Sequence, residues 1–259
     1  MKLRRKGKRF LFILPNAVGM LTFYLIPLCY CALYAFSSRS GKFSFGGFGN
    51  FVSLFQSESF RMAFGNTYCL LLECVGTVLI GSLVLVYFLD ATKKNLICLV
   101  VLALPMLLPP ALITHCIVDF EWPSEITLIL IFIWKYLGFH VILLKAMELK
   151  MNPEWIDAAV IEHASKWQVY TKVRLPYLWP YIRFLFIFDG ICFFRLFRES
   201  YLLYGKYPEN EVYTIINFFF NNFQNLNYQR LSAAAVITLV PLLILNIALL
   251  NMGGKHEVL

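Results

Sequence analysis

Eight ionisable side chains interrupt stretches of this chain that are otherwise apolar: Glu73, Lys135, His140, Arg183, Asp189, Arg195, Arg198 and Glu199. Groups of these types can move protons, ligate a metal or hold a charged ligand. At membrane depth they are expensive and usually face a cavity or a partner. Arg195 and Glu199 stand four apart, so a helix would pair them on one face. The other use of Arg195 is as a planar fork that grips a carboxylate with two hydrogen bonds. Arg183, close to an expected interface, can snorkel. His140 is either a hydrogen-bonded core histidine or a group that faces a cavity. No catalytic set assembles, because the four histidines, His115, His140, His163 and His256, are scattered. His115-Cys116 with Asp119 lacks convincing metal-ligand spacing, and no GxxxxGK[ST] stretch is present, so any ATP must be hydrolysed by another chain.

The elements that carry these groups follow from composition. Apolar residues make up 59% of the 259 positions and charged ones 15%, which polar surface could not cover in a soluble domain. Stretches of about 20 apolar residues are needed to cross about 30 Å of hydrocarbon. Six stretches qualify: 10–36, 66–89, 96–118, 126–147, 177–204 and 230–250. Prolines in the first (Pro15, Pro27) are tolerable where neighbours satisfy the freed carbonyls, and PMLLPP (Pro105, Pro109, Pro110) should kink the third heavily. Glycine-rich 37–65 and the aromatic, polar stretch 205–229 read as external loops. The latter is either an interfacial belt or a surface for a delivery protein.

The formal charge of +8 could suggest nucleic acid, but its distribution argues for topology. With the N-terminus cytoplasmic, Lys2, Arg4, Arg5, Lys6, Lys8, Arg9, Lys93, Lys94, Lys145, Lys150, Lys166, Lys172, Arg174 and Lys255 all lie inside. Only Arg39, Lys42, Arg61, Lys206 and Arg230 lie outside. That bias predicts both termini in the cytoplasm. The seven cysteines all fall within the expected spans and present no disulfide framework or CxxC pair; they read as small apolar side chains. The basic start and first apolar run are too long for a signal peptide and read as a retained span.

Between the fourth and fifth stretches lies a polar excursion, residues 150–176. Asn152 can cap a helix, Pro153 suits its first position, and Glu154 and Asp157 favour its positive end. Ile156, Ala159, Val160 and His163 share one face, and Trp167, Tyr170 and Val173 continue an apolar stripe in a second helix. Leu175-Pro176 is expected to stop that helix and start the next span. Such an element is either a docking knob for a cytosolic partner or an amphipathic pair lying on lipid headgroups.

Residues 157–176, DAAVIEHASKWQVYTKVRLP, resemble the EAA…G…I-x-LP loop of binding-protein-dependent ABC importer permeases. Fragments elsewhere resemble the sugar-importer branch of maltose and glycerol-phosphate type: LFILPNAVGMLTFYLIPL, FGGFGNFVSLF, FRMAFGNT, PMLLPP and IWKYLGFHVILL. The resemblance implies an all-α polytopic membrane protein, one transmembrane domain of six helices over 1–259, with the type I importer permease fold. It implies coupling to an ATPase through Asp157, Ala158, Ala159, Glu162, His163, Ala164, Leu175 and Pro176. Asp157 is one methylene shorter than the family's leading acid, Glu162 one longer than its usual Asp, and His163 replaces its glycine. Histidine reaches the left-handed conformation that glycine would supply only at a cost. The candidate substrate path comprises His140, Asp189, Arg195 and Arg198; Arg195 stands where relatives often carry an amide facing sugar, so an arginine there suits an anionic saccharide.

The implied partners are a second permease subunit, two ATPase subunits that carry ATP and magnesium, an extracytoplasmic binding protein and the lipid bilayer of a bacterial cytoplasmic membrane. No cofactor on this chain and no nucleic acid are expected. Import of amino acids or peptides by the same architecture, and a membrane-embedded enzyme, are the alternatives. The enzyme reading lacks a clustered acid–base or metal set.

Overall fold

A computed structural model describes residues 13–38, 44–89, 96–225 and 227–251. The basic cluster before residue 10, the start of the first stretch, Arg39, Lys42, Lys93, Lys94, Lys255 and His256 lie outside them. Helices dominate, and the single β pairing among the described residues is an isolated bridge between Ser37 and Phe45. In chain order the helices are α1 (Ile13–Ala35), α2 (Gly49–Gln56), α3 (Glu58–Phe88), α4 (Leu96–Ala103), α5 (Pro110–Ile117), α6 (Ser124–Glu148), α7 (Pro153–Ile161), α8 (Lys166–Val169), α9 (Leu175–Arg195), α10 (Phe197–Tyr204), α11 (Ile215–Gln224) and α12 (Tyr228–Asn251). Four helices are long and apolar enough to cross a membrane: α1, α3, α6 and the Tyr228–Leu249 part of α12. A fifth crossing arises if Val100–Leu107 and Pro110–Ile117, bent by 105°, form one broken span. The kink expected from Pro105, Pro109 and Pro110 is therefore present. The fifth expected stretch is helical over Leu175–Arg195 and Phe197–Tyr204; its charges and prolines keep it below the apolarity of the others.

Both segments expected to be loops hold helices. Residues 37–65 contain α2 and the first turns of α3, and 205–229 contains α11 with a short 3-10 turn at Asn210–Val212. Asn50, Gly65, Asn217, Asn221 and Asn222 lie within the helices, while Gly47, at φ 64, and Gly205, at φ 73, occupy the left-handed region in the connections. There a residue with a Cβ would be strained.

Two proline sites share one local solution. A wide π turn, Leu21–Leu25, runs into Ile26-Pro27, and another, Tyr170–Arg174, runs into Leu175-Pro176. In each case the residue before proline donates its N–H five residues back, Ile26 to Leu21 and Leu175 to Tyr170. The wide turn carries the chain past the missing donor without a break. Leu175-Pro176 thus does not stop a helix, contrary to expectation: α8 continues through the π turn into α9.

The described residues divide into two compact units, one formed by those within 1–61 and 218–244 and one by those within 62–217 and 245–259. In the first, Asn50 donates to the carbonyls of Ala35 and Ser37, and Phe36 packs on Phe45, Phe48 and Phe51. In the second, Asn66 donates to the carbonyls of Asn210 and Tyr213, and Thr67 accepts from the Ile215 N–H. These bonds fix the 205–217 segment on the start of α3.

Within the second unit α6 and the last residues of α4 meet backbone to backbone. Gly138 makes this possible, because a Cβ there would overlap the Leu102 carbonyl and the Ala103 amide. Backbone cannot yield as a side-chain tip can, so Gly138→Ala should destabilise the protein by about 3 kcal/mol or more, read as a lower unfolding midpoint of the detergent-solubilised protein.

Candidate functional site

The 150–176 element is built almost entirely from local rules. Asn152 caps α7 by accepting from the Glu154 N–H at 3.1 Å, with Pro153 at the first helical position. The helix closes in a Schellman turn: the Ala164 N–H reaches the Ala159 carbonyl at 3.0 Å and the His163 N–H reaches Val160 at 3.0 Å. That geometry needs a left-handed residue at its pivot. His163 supplies it, the one non-glycine residue at positive φ (56°) among the described residues. The turn is therefore kept sharp despite histidine. Ser165 then starts α8 with a capping box, accepting from the Gln168 N–H while the Gln168 side chain accepts from the Ser165 N–H.

This pair of short helices is held firmly at its base. Glu148, at the end of α6 and 8% exposed, accepts from Lys145 at 2.7 Å and from Arg174 at 2.6 Å. It ties the segment before the excursion to the segment after it. The Tyr170 hydroxyl donates to the Leu83 carbonyl of α3 at 2.8 Å. Burial, to which the Glu148 carboxylate adds and which Arg174 opposes, pushes that phenol up to about 12. Tyr87 packs edge-on against Trp167 and Tyr170, and Trp155 against Tyr177. Beneath them Val86, Val141, Leu144, Tyr170, Leu178, Ile182 and Leu185 form one apolar core.

Above that base the element is open. Asp157, Ala158, Glu162 and His163 are exposed, Ala159 and Ala164 half-buried. Trp155, Val160, Ile161 and Trp167 expose about half or more of their surface, up to 78% for Ile161. Several large apolar groups held outward by a rigid turn are an unpaid hydrophobic surface, which marks a contact site. Leu175 and Pro176 lie apart from this face, at the entry to α9. Sequence reasoning placed Lys145 and Arg174 only as topological charges; their shared acid, Glu148, was missed because its partners lie on both sides of a 26-residue separation.

A second set of polar groups sits between α6 and the α9–α10 segment. His140 Nε2 meets Asp189 Oδ1 at 2.9 Å, both groups fully buried. Lys135 Nζ bonds Glu199 Oε1 at 2.5 Å, with Glu199 also fully buried. Two of the four candidate path residues are thus brought together, His140 as the buried, hydrogen-bonded histidine of the first alternative. Arg195 and Arg198 are elsewhere, exposed on the surface of the unit. The expected Arg195–Glu199 pair does not form: Glu199 turns to Lys135 on the neighbouring helix. A buried acid gains more from a cation that shares its desolvated site than from one that stays in contact with the exterior. No group of three or more metal-ligating side chains occurs among the described residues.

Residues 48–253 match the family described as "Binding-protein-dependent transport system inner membrane component". The arabinooligosaccharides transport system permease protein of Bacillus subtilis is 22% identical, aligned over 98% of this chain and 90% of its own. The multiple sugar-binding transport system permease protein of Streptococcus mutans is 22% identical over 95% of each. A chain of a bacterial ABC transporter involved in the import of the acidic polysaccharide alginate superposes with a TM-score of 0.76 at 20% identity, over 99% of this chain and 98% of that one. With a helical membrane fold, an outward-held helix pair and a family match that spans most of its length, the chain belongs to the inner membrane components of binding-protein-dependent transport systems.

Proposed function

We propose that the chain is the permease subunit of an ATP-driven carbohydrate importer and that α7, with the His163 turn, is the element through which a cytosolic ATPase moves it. The observation that carries this reading is the contrast between the tip and the base of the 150–176 element. At the tip, apolar side chains and Asp157 are presented outward. At the base, Glu148, Tyr170 and the aromatic contacts weld the element to α3, α6 and α9. A knob built that way transmits a push, because force applied at α7 cannot be absorbed by a loose connection.

Carbohydrate is favoured over amino acids or peptides by the names of the curated relatives, which concern sugar and oligosaccharide transport. In this reading a second permease subunit completes the path, two ATPase subunits carry ATP and magnesium, and an extracytoplasmic binding protein delivers the cargo. The excess of Lys and Arg in the expected cytoplasmic segments supports cytoplasmic termini and a 150–176 element on the same side as the ATPase.

Replacing Asp157 or Ala159 with tryptophan should abolish ATP-driven uptake in proteoliposomes while the protein still inserts and co-purifies with its permease partner; normal uptake by either variant would remove α7 as the coupling element. Replacing His163 with glycine should relieve the left-handed strain, stabilise the turn by about 1 kcal/mol and leave coupled ATPase activity intact. Thermal unfolding and substrate-stimulated hydrolysis measure both parts.

A further inference from the structure

Among the described residues one hydrogen bond joins the two ends of the 150–176 excursion. Glu148 is the last residue of α6, and Arg174 is the last residue of the π turn that runs into α9. Between them the chain builds α7 and α8 and returns. Glu148 Oε1 accepts from the Arg174 guanidinium at 2.6 Å, while Oε2 accepts from Lys145 at 2.7 Å. The two cations differ in what they span. Lys145 stands three residues before Glu148, so that bond lies wholly within the last turn of α6. Arg174 reaches the same acid across 26 positions.

The two ends also meet through apolar side chains, Val141 and Leu144 of α6 in one core with Tyr170, Leu178, Ile182 and Leu185. Apolar burial is non-directional, so it resists separation of the ends more than it resists sliding. A charge-assisted hydrogen bond is short and fixed in direction. The Glu148–Arg174 bond therefore sets the register of α6 against the start of α9. A push on α7 is dissipated only if those two ends slide or part, and this bond opposes both.

We infer that Arg174, through its bond to Glu148, is a positioning residue for coupling: it makes α6 and α9 follow a movement of α7 as one piece. The inference rests on the transport reading above and adds which contact at the base carries the motion. Lys145 has a different part. It shares the buried carboxylate and offsets its charge, but it ties no second segment to α6. Loss of either cation leaves Glu148 with the other, so neither loss strands a buried acid. Only the loss of Arg174 unfastens the two ends.

The test uses the assembled importer with its binding protein in proteoliposomes, offered arabinotriose and maltotriose together. ATP hydrolysed and saccharide accumulated are measured in the same vesicles. Arg174→Gln should raise the ATP consumed per saccharide about tenfold, the factor by which loss of one charge-assisted bond shifts an equilibrium between fastened and loose ends. Hydrolysis itself should persist. Lys145→Gln should keep the ratio of the unaltered importer. Arg174→Lys, which retains the charge and loses the planar fork, should fall between. A carboxylate that served stability alone would respond alike to the two glutamine variants. Equal ratios in those variants, or an unchanged ratio in Arg174→Gln, overturn the inference and leave the transport reading standing. Failure of Arg174→Gln to assemble with its partner subunits assigns the bond to folding and overturns the inference too. An unaltered importer that moves neither saccharide overturns the carbohydrate reading and this inference with it.

Discussion

Charges and backbone donors in this chain must be satisfied inside the protein, because hydrocarbon offers them nothing. Two buried contacts meet that demand between α6 and the segment that follows the excursion: Lys135 with Glu199 and His140 with Asp189. Each group alone would carry a heavy desolvation cost, and removing either partner leaves the other stranded. The pairs therefore set which faces of α6 and α9–α10 meet, and the depth at which they do. Everything between, including Glu148 with its two cations and the Tyr170 bond to Leu83, is built on that registration.

The 150–176 element is specified largely by local chemistry. Asn152, Pro153, His163, Ser165 and Gln168 specify two caps and a reversal almost without help from the rest of the molecule. Tertiary contacts enter only at the base. That division leaves the exposed tip free of internal packing duties, so its apolar side chains are available to another protein at no cost to the fold.

Much of this was legible in the sequence, because helix caps, apolar runs and proline kinks are short-range signals. Asn152 with Pro153, the cluster at Pro105–Pro110 and the polar segment after Glu148 announced themselves by spacing alone. Long-range partners did not. Arg195 and Glu199 satisfy the four-residue rule, yet Glu199 bonds Lys135 across 64 positions, a choice made by burial that no local pattern encodes. Residues 37–65 read as a loop from their glycines and 205–229 from its aromatic and polar make-up, yet helices form there with Asn50, Asn217, Asn221 and Asn222 inside them. The break at Leu175-Pro176 failed to appear because a π turn is invisible to a 3.6-residue pattern.

That π turn also has a bearing on phase. Tyr170–Arg174 accommodates one residue more than an ordinary helical turn would. Every side chain beyond it is consequently swung about 100° around the axis relative to an uninterrupted helix. Asp189, which meets His140 at 2.9 Å, lies on the helix that carries this offset. The supernumerary residue beside Pro176 thus resets the phase of α9 at its very start, before any of its buried polar groups.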